Sequence, residues 1–251
     1  MDKRYRVYVA WRGRDDDLRD MSRQLASFVA ALGALHPRLK GLRFVGPAGR
    51  EVPAAGAEAC QSALETHRVD WATGPTKRVA HQPRFFLERR AAAPLEFQIT
   101  CGIPRLNLGP IYTPNRLDLL VRRDAGDEIV NPATLEAILR AAVEAFRPDW
   151  GFASLEGLPE PPLPVFSDGV PAVGWMTVLS SRYPPIPAAL PKPAVAHVLP
   201  RRGTLVVAHP ELWNEADPAH QRAVEEVRET LEKAGVLLPA ASLDDAAAPA
   251  Q

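Results

Sequence analysis

The stretch NPATLEAILRAAVEAFRPDWGFASL, residues 131–155, carries a helix and a strand whose limits are both written in residue type. Asn131 suits an N-cap, since its side-chain oxygen accepts from a first-turn N–H. Pro132 is tolerated at the first helical position, where an N–H would have no partner. Leu135, Ile138, Leu139, Ala142, Val143 and Phe146 then recur at three- and four-residue steps, which predicts a helix with one apolar side. Pro148 stops it, and Trp150 to Leu155 reads as a strand. This helix separates two runs of strands, and that order favours α+β over a doubly wound α/β sheet.

Upstream, Arg4 to Trp11 alternates, with Tyr5, Val7 and Val9 on one side and Arg6, Tyr8 and Ala10 on the other, as in a strand. Asp15, Asp16 and Asp17 follow, then Leu18, Met21, Leu25, Phe28, Val29 and Leu32 at helical spacing. The acids complement the helix dipole, and Gly33 marks the expected end. Leu42 to Val45 is a short predicted strand, and Ala54 to His67 a weaker helix. Strand character returns at Arg84–Glu88, Leu95–Cys101 and Leu117–Arg122, punctuated by Gly and Pro, which predicts an antiparallel meander.

Downstream come a proline-rich loop from Gly157 to Pro164 and strands at Gly174–Leu179, Val195–Leu199 and Thr204–Ala208. Asp217-Pro218 repeats the cap-plus-proline signal. Val224, Val227, Leu231 and Ala234 form the stripe, and Gly235 sits where a C′ glycine belongs. The expectation is a mixed, largely antiparallel sheet system flanked by three or four helices. Residues 1–251 are read as a single domain, open to division into similar halves 1–147 and 148–251, with 240–251 a frayed tail.

The 30 basic and 30 acidic residues cancel, which argues against a nucleic-acid binder, whose affinity rests on phosphate neutralisation. Two cysteines, Cys60 and Cys101, are too few for a disulfide framework and read as small apolar core residues. No apolar signal core follows the N-terminus, and no uncharged apolar run has the roughly 18 residues of a membrane span. A cytoplasmic protein is expected. The 26 prolines, about twice the ordinary share, predict short elements joined by stiff loops.

Catalytic signatures are missing. No phosphate-binding glycine loop, nucleophile elbow or paired metal motif occurs. His209-Pro210-Glu211 matches half of a zinc-deaminase signature, but the paired cysteines that complete it are absent. Cys101, in a strand running into a turn, reads as a core thiol more readily than as a nucleophile awaiting a remote histidine. No catalytic residue, cofactor or metal is therefore expected. Trp11, Trp71, Trp150, Trp175 and Trp213 read as core, although an exposed one would be a binding hot spot.

The segments Val173-Gly174-Trp175-Met176-Thr177-Val178-Leu179-Ser180, Arg202-Gly203-Thr204-Leu205-Val206-Val207-Ala208 and Asp217-Pro218-Ala219-His220, with the helix ending Leu231 to Leu237, carry a pattern. Together with Trp150-Gly151 and the early strand, it resembles the immunity protein 52 family of bacterial polymorphic-toxin and type VI secretion systems. The resemblance implies an α+β inhibitor that binds a cognate toxin, often one with a nuclease domain. Trp150, Gly174, Trp175, Gly203, Pro218, His220 and Gly235 correspond to its signature positions, and most read physically as structural. If the partner is a nuclease, carboxylates would face it. The clustered acids Asp15, Asp16 and Asp17, then Glu156 and Glu160, are the expected partner contacts. Two other classes stay open, an enzyme with a dispersed site and a scaffold or oligomerisation module; the oligomeric state is not readable.

Overall fold

The computed structural model describes residues 4–14, 16–72, 77–87, 94–103, 114–155 and 169–243. At its centre lies β1 (Arg4–Trp11), hydrogen-bonded antiparallel to β8 (Asn115–Arg122) on one side and β9 (Trp150–Leu155) on the other. Beyond β9 come β10 (Met176–Ser180), β12 (Gly203–Val207) and, at the edge, β11 (Val195–Leu199). Beyond β8 come β7 (Leu95–Thr100), β6 (Arg84–Phe86), β2 (Arg43–Val45) and the opposite edge, β3 (Glu51–Pro53). The result is one ten-stranded sheet, antiparallel at every pairing. β4 (Arg68–Ala72) and β5 (Lys77–His81) pair separately. The β1–β9 ladder carries the sheet across the 147/148 boundary seen in the sequence.

Alternate side chains sort onto two faces. One buries Tyr5, Val7, Val9 and Trp11 with Phe85, Phe97 and Leu119 under three helices: α1 (Leu18–Leu35), α2 (Gly56–Thr66) and α3 (Pro132–Phe146). Phe28 of α1 sits between Phe97 and Phe146, its ring centroid 5.4 Å from each. The other face buries Tyr8, Ala10, Trp150, Phe152 and Val206 under Ala223, Val227 and Leu231 of α4 (Pro218–Lys233). β1 is therefore covered on both sides. Even Arg6 is only 7% exposed, and it is held by two hydrogen bonds to Asp118, at 2.8 and 2.7 Å.

The starts of α3 and α4 are those expected from sequence, while α2 begins at Gly56 rather than Ala54. Asn131 accepts from the Thr134 N–H, and Asp217 from the Ala219 N–H. α1 departs from expectation at its other end, running through Gly33 to Leu35 before Pro37. A β-carbon at Gly33 would lie 3.3 Å from Lys40 Cγ, so close packing offsets the glycine's poor helix propensity of roughly 1 kcal/mol. β3, β4 and β5 were not read from the sequence, being short or lacking clear alternation. Two residues of the segment expected to fray are held: Ala240 is fully buried and Leu243 nearly so. Residues 244–251 lie outside the described residues.

Three charged side chains hold that segment down. Asp149, 2% exposed, accepts from the Arg12 backbone N–H at 2.8 Å and from Arg182 Nη1 at 3.2 Å, and the Arg12 guanidinium lies 3.6 Å away. The two guanidinium groups in turn donate to the carbonyls of Ala240 and Leu243. No described helix is long and apolar enough to cross a membrane.

Candidate partner-binding surface

Of the acids singled out in the sequence, Asp16 and Asp17 fall among the described residues. Asp17 is the N-cap of α1, accepting from the Asp20 N–H at 2.7 Å, with its side chain at the surface. Asp16 is half-buried and accepts from Gln24 Nε2 at 3.4 Å. Asp15, Glu156 and Glu160 lie outside the described residues. Trp11, Trp150, Trp175 and Trp213 are all buried, so none offers an exposed hot spot, and the Trp71 side chain lies outside the described ones.

The resemblance positions hold the fold together. Trp150 is fully buried beside Tyr8, ring centroids 5.4 Å apart. Trp175 Nε1 donates to the His209 carbonyl at 2.7 Å. A β-carbon on Gly174 would sit 2.8 Å from the Ala153 carbonyl oxygen. Gly203, at φ +127°, would bring one within 2.0 Å of the Leu179 carbonyl oxygen, a contact only glycine permits. Pro218 opens α4. Gly235 follows its C-terminus, and the Val236 N–H returns to the Leu231 carbonyl.

The thiols are core residues. Burial pushes Cys60 up to about 11. Burial, then Asp16, push Cys101 up to about 12. A nucleophilic thiolate needs the opposite shift.

A larger acidic surface runs along α4 and the loop before it. Residues 209–233 carry seven carboxylates against three cations. Helical spacing turns Ala223, Val227 and Leu231 inward and leaves Glu225, Glu226, Glu229 and Glu232 exposed. Arg228 pairs with Glu225 and Glu232, and Lys233 with Glu229. Glu226 has no ion-pair partner among the described residues. The sequence carries this signal in the polar positions between the members of the apolar stripe.

At the head of this surface His220 is 3% exposed. Its Nδ1 accepts from the Asn214 N–H at 3.0 Å, which leaves the proton of the neutral ring on Nε2. That N–H faces Glu211 Oε2 at 3.8 Å and Asp217 Oδ2 at 4.0 Å. The His209 ring lies 4.0 Å away, centroid to centroid, and its Nδ1 accepts from the Glu211 N–H. Burial, then the neighbouring His220, lower the His209 pKa, while Glu211 and Asp217 pull the other way.

Ligand atoms of His209, Glu211 and His220 lie within 4.8 Å of one another, a spacing a metal ion could close. The donor set does not fit one. Backbone N–H groups occupy the Nδ1 lone pair of both rings, so both Nε2 atoms carry hydrogen and neither offers a lone pair. The cluster instead directs the His220 Nε2–H toward carboxylates.

Residues 3–240 match the profile of a protein family described as immunity protein 52. Among solved structures the chain is similar to the Pseudomonas aeruginosa T6SS protein PA0821, with a TM-score of 0.52 and 13% identity, over 98% of this chain and 86% of that one. At that identity the likeness is one of fold. No curated protein matches the chain significantly.

Proposed function

The chain belongs to the immunity protein 52 family, and from that premise we propose that it binds and neutralises a cognate secreted toxin, a nuclease delivered by type VI secretion and acting in the cytoplasm. The match over residues 3–240 carries the reading, because it spans nearly the whole chain rather than one motif. The fold likeness to a T6SS protein supports the secretion context.

The acidic surface supports the choice of a nuclease. An enzyme that grips phosphates presents basic residues, and a partner that covers them does best with carboxylates. Seven acids over residues 209–233, four of them on α4 and three on the loop before it, supply that sign of charge. They steer encounter, and a buried interface then sets the lifetime of the complex. Inhibition in this reading is occlusion, and no bond of the toxin is broken.

The test is co-expression with the toxin domain of a type VI effector from the same genome. Survival should depend on the chain, and the two proteins should co-purify. Death of cells that make both proteins in soluble form would refute the reading.

A further inference from the structure

The two edges of the sheet are built differently. β3 is blunted: it has three residues, one of them Pro53, and Glu51 pairs with Arg43 across the ladder. β11 has no such guard. Its residues Val195-Ala196-His197-Val198-Leu199 contain no charge, proline or glycine, and its first four are exposed. Val195 is 46% exposed and Val198 78%. An edge of this kind presents a row of solvent-facing N–H and C=O groups, a ready template for another strand, and soluble proteins ordinarily protect it. Pro193 and Pro200 stand at either side, so the pairable edge is short and defined.

A hollow of about 260 Å³ opens beside it, lined by Leu179, Tyr183, Pro184, Ile186, Val198 and Leu199 among others. Edge pairing gives affinity through the main chain, and a pocket beside the edge gives selectivity for a side chain.

Charge identifies the occupant. Residues 180–208 contain no acid. Arg182 pairs with Asp149 and Arg202 with Glu144, while Lys192 and Arg201 are exposed at the two ends of the strand with no ion-pair partner among the described residues. A second copy of β11 would set cation against cation in either direction, since both ends are positive. An extended segment with acids at its ends satisfies both the edge and its flanks.

We propose that β11 docks an extended, acid-flanked segment of the toxin, which adds as the next strand of the sheet and seats one apolar side chain in the adjacent hollow. This rests on the toxin-binding reading and names the contact through which it works. The acidic face of α4 acts on a different, basic part of the same partner.

The test uses the full chain and that toxin domain. Amide hydrogen exchange over residues 194–200 should slow at least tenfold in the complex. Val198→Lys, a change at an exposed site, should weaken binding at least tenfold without lowering the Tm. Val69→Lys, at another exposed valine, should leave binding unchanged. A complex that forms with exchange at 194–200 unaltered, or that Val198→Lys leaves equally tight, overturns this inference and spares the toxin-binding reading. A free protein that is dimeric, and that Val198→Lys makes monomeric, assigns the edge to a second copy and also overturns it. Absence of any complex removes the functional reading and this inference with it.

Discussion

Replacing Asp149 by alanine removes a buried carboxylate set between two guanidinium groups. Asp149 is 2% exposed, and it takes a backbone N–H from Arg12 and a side-chain N–H from Arg182. Removing one partner of a buried pair leaves the other charge uncompensated, at a cost of about 3–5 kcal/mol. Here both arginines keep their carbonyl acceptors on Ala240 and Leu243, and their side chains are 14% and 20% exposed, so the lower end applies. A loss of about 3 kcal/mol lowers the Tm of a chain this size by roughly 6–12 °C. Asp149→Asn keeps an acceptor for the Arg12 N–H and should lose about half as much. Thermal unfolding by circular dichroism gives the shift, and hydrogen exchange at Ala240, whose N–H bonds the Gly169 carbonyl, reports local release. A loss under about 1 kcal/mol, the range of surface ion pairs, would refute the reasoning.

Gly203→Ala should destabilise by about 3 kcal/mol or more, because its β-carbon meets backbone; Gly235→Ala, with open space around it, should cost about 1–2 kcal/mol, and equal losses in a urea titration would contradict the contact. Stability should fall on acidification below about pH 6.5. The folded state holds His209 at a lowered pKa, so the unfolded chain binds more protons in that window; a His209→Gln variant should show a flatter Tm-against-pH profile, and an unchanged slope would exclude His209 as the source. Reversing Glu211 and Glu226 together to lysine should slow association with a nuclease toxin about tenfold at low salt and much less at high salt, with dissociation little changed; stopped-flow rates insensitive to the change would remove α4 from the encounter.

Helix starts were the most legible part of the fold. Asn131-Pro132 and Asp217-Pro218 state their caps in residue type, and the structure places them so. Strands with a strong apolar face were also readable, β1, β9 and β11 among them. β3 to β5 were not, since such pairings are set by their neighbours more than by their own residues. Gly33 misled for a related reason: a glycine closes a helix only where the chain needs a left-handed turn, and here it serves close packing against Lys40.

The binding surface was the least legible part. Asp17 drew notice because acids cluster beside it, yet cluster and N-cap are the same observation. The acids of α4 are spread over about two turns, and they form a surface only once the helix stacks them on one side. An open strand edge has no residue signature at all. It depends on which strand ends the sheet, and β11 precedes in sequence the strand that it flanks.

Titrating the purified toxin domain's nuclease activity with this chain tests the account most directly. Activity should fall in proportion to added protein and vanish at one equivalent, with toxin of unaltered mass recovered on denaturing the complex. Complete loss at a small fraction of an equivalent would mean that the chain turns over as an enzyme, and full activity in excess would mean that it is not the inhibitor.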